Sequence, residues 1–103
     1  MAKKPALIVG VAWYTREDWT ELKAIFEDAE SLPTNYADWR VFAELSLQAL
    51  EHQGISAYKV YIIPKEFTAW CQERGLRKNA LARMQYANAL IAAMNDQSQE
   101  TAH

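Results

Sequence analysis

Cys71 is the only thiol in this chain, and His52 and His103 are the only imidazoles. A cysteine nucleophile needs its pKa lowered by a base or a cationic neighbour. Cys71 follows Phe67 by four residues and Trp70 by one. That spacing puts it on the inner face of a helix, where a free cysteine packs as a small, inert hydrophobe. Metal chemistry has less to work with. Glu51 and His52 are adjacent, so on a helix they diverge by about 100° and cannot grip one ion. No H-x-x-E-H, C-x-x-C or EF-hand spacing occurs. Gly10 follows an apolar run, but one glycine is not a phosphate cradle, and neither G-x-G-x-x-G nor G-K-[ST] is present. There is no G-x-S-x-G elbow. The acids sit in polar helical positions, where solvation is the default. The sequence therefore names no catalytic residue, metal or cofactor, and leans away from an enzyme.

The aromatic residues carry more weight. Four Trp, five Tyr and three Phe are generous for 103 residues, and large rings let a small chain bury enough apolar area. Trp19, Trp39 and Trp70 recur with other apolar residues at helical spacing, which assigns them to the core. Trp13 and Tyr14 end an apolar run just before a helix start. Sites in α/β proteins open there, outside the carboxyl ends of strands. Trp13, Tyr14 and Tyr36 are accordingly the candidate lining of a pocket for a flat or apolar ligand. The same ring types also serve as interface anchors.

Charge is uneven along the chain. Six acids against Arg16 and Lys23 fall between Thr15 and Ser31, and five bases against Glu66 and Glu73 fall between Lys65 and Arg83. Such faces commonly pair within one molecule. The sharper reading makes Arg74, Arg77, Lys78 and Arg83 an interaction surface. A formal charge of −2 and a pI of about 5.6 argue against a main role in gripping phosphate backbones. A weak nucleic-acid contact through residues 74–83, with Tyr86 nearby, ranks third among functions.

The elements that must position these residues follow from patterning. Leu7 to Tyr14 reads as a strand buried on both faces. Thr15 caps a first helix with Asp18 at N3, carrying Trp19, Leu22, Phe26 and Ala29 inward until Pro33 stops it. Asn35 caps a second helix, with Asp38 at N3. Tyr36, Trp39, Ala43, Leu47 and Leu50 lie on one face, and Phe42, Leu45 and Ala49 widen it. Gly54-Ile55 fits a Schellman ending. Ser56 to Ile63 alternates as a second strand. Pro64 opens a third helix, with Phe67, Trp70 and Cys71 inward and Gly75-Leu76 at its end. Asn79 caps a fourth, with Met84, Ala87, Ile91 and Met94 as its stripe.

The expected fold is a small α/β (α+β) domain of order β-α-α-β-α-α, a two-stranded sheet covered by four helices. Residues 1–95 form the domain and 96–103 a flexible tail. Two strands are few, and both are edges. Pairing across a homodimer is one remedy, and burial under loops is another. Met1 to Lys4 and the apolar run after it resemble the start of a signal peptide, but the run is short and meets Trp13-Tyr14 instead of a small-x-small site. A lone cysteine also excludes an intrachain disulfide. A cytoplasmic location is expected, and no stretch approaches the ~20 apolar residues of a membrane span.

Trp13-Tyr14, Trp19, Leu32-Pro33, Tyr36-x-x-Trp39, Phe67-x-x-Trp70-Cys71-x-x-x-Gly75-Leu76 and Arg83-x-x-Tyr86 together resemble a family of small bacterial proteins with no assigned activity. The resemblance spans roughly Val9 to Ala87 and implies a bacterial cytoplasmic origin. It brings no cofactor, site or partner. The leading functional reading is a protein-interaction or regulatory module, with a second copy or another protein as partner. The alternative is a small-molecule-binding domain with an aromatic pocket.

Overall fold

The computed structural model describes residues 7–101, with side chains as far as Met94. The basic start at Met1–Lys4, His103 and the side chains of the expected tail lie outside the described residues. Strand β1 spans Ile8–Trp13, helix α1 Trp19–Ile25, a 3-10 turn Ala29–Ser31, helix α2 Tyr36–His52, strand β2 Ser56–Tyr61, helix α3 Pro64–Arg74 and helix α4 Ala80–Thr101. The described residues form a small α+β domain with four helices and a two-stranded sheet. Its strands run parallel, with Ile8 beside Ser56 through to Trp13 beside Tyr61. The crossover between them carries α1 and α2, as a parallel pair requires.

The punctuation residues act as their chemistry dictates. Asn35 Oδ1 accepts from Asp38 N–H at 3.0 Å and opens α2. At the other end Gly54 takes φ 81°, and Ile55 N–H returns to Leu50 O at 3.1 Å. Gly75, at φ 64°, closes α3 in the same way, with Leu76 N–H on Cys71 O at 2.9 Å. Pro64 stands at the start of α3, and Asn79 Oδ1 caps α4 by accepting from Ala82 N–H at 3.0 Å.

The first helix departs from expectation at both ends. Thr15 Oγ1 does accept from Asp18 N–H at 3.2 Å, but residues 16–18 form a turn and α1 begins at Trp19. It stops at Ile25, well before Pro33, because Phe26 turns extended (ψ 129°). A continued helix would rotate Asp28 about 200° away from Phe26. The break lets both meet Arg83, whose guanidinium lies 4.2 Å over the Phe26 ring and bonds the Asp28 carboxylate. Glu27 N–H is redirected to Lys78 O at 2.8 Å.

Three burial expectations also need correcting. Ile8 in β1 is exposed, and Val9 and Val11 are only half-buried, since a two-stranded sheet leaves its first residues uncovered. On α2, Phe42, Leu45 and Ala49 face outward. Phe42 and Leu45 lie about 60° and 120° around the axis from Trp39, on the side away from Ala43 and Leu47. On α4, Ala87 is buried and Ile91 packs on the core, whereas Met84 and Met94 are exposed. Helix α4 is about 33 Å long and a six-residue strand about 20 Å, so its ends overhang the sheet.

Helix α4 packs along β1 and reaches β2, while α2 covers the opposite face of β2. The crossing of α4 over β1 is close. A Cβ on Gly10 would lie 2.5 Å from Ala87 O. Glycine is present for space there, since its φ is not positive.

Candidate functional site

The carboxyl end of β1 delivers Trp13 and Tyr14 into a cluster of rings. Trp39 of α2 lies 5.2 Å from Trp13, 4.7 Å from Tyr14, 5.8 Å from Trp19 and 5.4 Å from Tyr36. Tyr36 Oη donates to Tyr14 O at 3.0 Å. The structure thus brings Trp13, Tyr14 and Tyr36 together, and all three are buried. The rings fill the space among themselves, as aromatic pairs at these separations do. An open cavity of about 390 Å³ lies beside the cluster, lined by Ser31, Leu32, Pro33, Trp39 and Phe42. Trp39, which the spacing assigned to the core, is the ring that reaches both.

Beneath the cluster is an ion pair. Arg83 is 5 % exposed, and its two terminal nitrogens donate to Asp28 Oδ1 at 2.8 Å and Oδ2 at 3.0 Å. The hydrogen bond from Arg83 holds the Asp28 carboxyl below its ordinary value. Burial pushes the Tyr14 phenol up to about 12, with the Arg83 charge opposing. Arg77 and Arg74 also make contacts within their own molecule, and Lys78 does so through its main chain. Arg77 Nε lies 3.8 Å from Glu27 Oε1, and Lys78 N–H donates to Glu27 Oε2 at 3.0 Å. The Arg74 guanidinium stacks 4.4 Å over Trp70. The acidic and basic segments therefore meet across α1's end and α4's start, and Arg83 is withdrawn from the surface.

Burial raises the pKa of the Cys71 thiol, the reverse of what a nucleophile needs. Among the described residues no three of His, Cys, Asp and Glu converge, and no helix is long and apolar enough to cross a membrane.

The sheet edges differ. Ser56 N–H donates to Leu7 O and Ile62 N–H to Trp13 O. By strict alternation, Ile8, Gly10 and Ala12 turn their main-chain groups to the outer side of β1, and Ala57, Lys59 and Tyr61 to the outer side of β2. On β1 the Gly10 N–H is taken by Asn88 Oδ1 of α4 at 2.8 Å. On β2 the outward groups have no partner among the described residues. Tyr58 (53 % exposed) stands on the face shared with Gly10, and Tyr61 (50 %) on the face shared with Trp13. The Lys59 side chain folds down onto the sheet, with Nζ 4.4 Å over the Trp13 ring and 3.9 Å from Glu44 Oε1. It does not block the edge. Val41, Phe42 and Leu45 form a further exposed apolar stripe on the outer side of α2.

Sequence reasoning passed over Asn88, the Asp28–Arg83 pair and the cavity. Gly10 inside a strand was the available signal for the first, because such a glycine marks a close backbone approach. No family model, curated protein or solved structure matches the chain.

Proposed function

We propose that this protein is a protein-interaction module, cytoplasmic and regulatory in character, that binds by strand addition at the outer edge of β2. The observation that carries this reading is the contrast between the edges. Asn88 occupies the central main-chain donor on the outer side of β1, at Gly10, while none of the outward groups of β2, which carries two half-exposed tyrosines, is taken among the described residues. An incoming extended segment would gain main-chain hydrogen bonds there, with Tyr58 and Tyr61 gripping alternate side chains. The apolar stripe of Val41, Phe42 and Leu45 offers a second contact, since exposed apolar groups in one patch favour association.

Photo-crosslinking in the host cell tests this. A photoreactive residue at Tyr61 or Phe42 should yield adducts of defined mass, and one at Gln72 should not. Adducts from none of the three positions would refute the proposal.

A second reading is supported by the cavity against Trp39. Its volume of about 390 Å³ suits a small apolar ligand, and Trp39, Phe42, Leu32 and Pro33 offer such a ligand flat, apolar walls. Native mass spectrometry of the chain recovered from its host checks this. A small-molecule adduct lost on Phe42→Asp supports it, and bare protein at every ionisation setting counts against it.

A further inference from the structure

The β2 edge complements itself, and we infer that its partner is a second copy of this chain, paired β2 to β2 antiparallel about a twofold axis at Val60. This rests on the strand-addition reading above and adds the identity of the strand that is added. An interface about a twofold needs a surface that fits its own copy. In an antiparallel pair, residues whose main-chain groups face the partner sit directly opposite one another. On β2 these are Ala57, Lys59 and Tyr61. Ile63 continues the series, because its backbone is still extended at φ −92°, ψ 122°.

The side chains choose among the registers. An axis at Lys59 would set Lys59 against Lys59, and like charges directly opposite are unfavourable. An axis at Tyr58 would pair Ala57 with Lys59 and leave Ile63 uncovered. An axis at Val60 sets Lys59 opposite Tyr61 twice and Ala57 opposite Ile63 twice. It sets no like charges against each other, leaves each Lys59 ammonium on its own Trp13 and Glu44, and covers Ile63, which is 42 % exposed. Lys59 is the only charge from Ser56 to Ile63, and it is partly neutralised by its own Glu44.

Closure also favours a second copy over any other strand. The paired sheet has the order β1-β2-β2-β1, so its outermost strands are the two copies of β1. Each is capped at Gly10 by Asn88. No open β2 edge remains, which is what a soluble assembly needs. A foreign strand added to β2 would instead carry its own outer edge into solvent.

Sedimentation velocity of the full chain over a wide concentration range is the test. The expected result is a shift from 11.8 kDa towards twice that mass. Tyr61→Lys opposes two like-charged pairs across the axis and should weaken the dimer about tenfold. Tyr61→Glu creates two opposite-charge pairs in the same places and should leave it as strong or stronger. Tyr61 is half-exposed, so both variants should fold, with circular dichroism as the check. A wild-type chain that stays at 11.8 kDa throughout overturns the inference, as does a dimer that both substitutions affect alike. A monomer that still crosslinks to another protein through position 61 refutes self-pairing and leaves strand addition standing. A monomer without crosslinks removes both.

Discussion

Replacing Gly10 by alanine should destabilise the fold, although glycine-to-alanine changes in tolerant backbone often stabilise by about 0.4–1 kcal/mol through the unfolded state. The sign reverses here because of what the new methyl meets. Its position is 2.5 Å from Ala87 O, 2.7 Å from Ala87 C and 3.0 Å from Ile91 Cγ1. The isoleucine can turn aside. The Ala87 carbonyl cannot, because it belongs to the helical ladder of α4. Restoring ordinary contact requires α4 to move out by about 1 Å. Overpacking of this kind costs about 1–3 kcal/mol. The shift also stretches the 2.8 Å bond from Gly10 N–H to Asn88, worth about 1 kcal/mol. Less the unfolded-state gain, the net loss is about 1–3.5 kcal/mol, centred near 2. Urea titration should show a lower midpoint at unchanged slope, and the melting temperature should fall by about 10–20 °C for a domain of this size. Asn88→Ala alone should cost about 1 kcal/mol. The double variant should lose less than the sum of the two single losses, since the first already weakens the bond the second removes. A Gly10→Ala protein as stable as wild type, or more so, would refute the reasoning.

The Asp28–Arg83 pair should respond asymmetrically. Asp28→Ala leaves a nearly buried guanidinium without its carboxylate and should cost about 3–5 kcal/mol, whereas Arg83→Met leaves a carboxylate that still reaches water and should cost less; denaturant titration of both checks the order. Because the folded pKa of Asp28 is depressed, its stabilisation is complete above the unfolded carboxylate value and is lost as pH falls through the lower folded value. Melting temperatures below about pH 4 should therefore drop less steeply in Asp28→Asn than in wild type. Tyr14 has the opposite sign. Its pKa is raised to about 12, so its contribution is full below the ordinary tyrosine value of about 10 and is lost as pH rises from there towards 12. Burial also raises Tyr86, so phenolate absorbance should show late-titrating tyrosines, of which the step towards 12 disappears in Tyr14→Phe. Cys71 should react with a thiol reagent only as fast as the domain opens, so added denaturant should accelerate labelling; rapid labelling of the native chain would contradict its burial.

The sequence was legible where one residue type has one local role. Asn35, Gly54, Pro64, Gly75 and Asn79 each ended or began an element as their chemistry requires, and the order of strands and helices followed. It was less legible where the outcome depended on what lay opposite. Periodicity showed that Phe42, Leu45, Met84 and Met94 sat on apolar stripes, but not that a two-stranded sheet is too narrow and short to cover them. The break after Ile25 was hidden for a related reason. Its cause is Arg83, 55 residues away from Asp28, and no local pattern announces a distant ion pair. The candidate rings Trp13, Tyr14 and Tyr36 do converge. Which ring would border open space depended on the packing of Ser31, Leu32 and Pro33 after that unforeseen break.

Asn88 links the stability of the domain to its association. Its side chain is exposed and lies outside the stripe that packs α4 on the sheet, so its apparent contribution is one hydrogen bond. That bond places a side chain of α4 against the middle of the outer side of β1, at Gly10. In Asn88→Ala the Gly10 N–H is released and the side chain against the middle of the β1 edge is gone, so a strand can approach the sheet from both outer sides. A chain that a strand can approach at only one edge forms a closed pair, because each copy uses that edge once. A chain with two can continue, since every added copy presents a fresh edge. Light scattering of Asn88→Ala should therefore reveal species larger than a dimer, growing with concentration. Adding Tyr61→Lys should suppress them, because it weakens the β2 contact that every longer assembly must contain. An Asn88→Ala protein that loses stability yet assembles no further than wild type would show that α4 shields β1 by its bulk, and that the bond to Gly10 matters for packing alone.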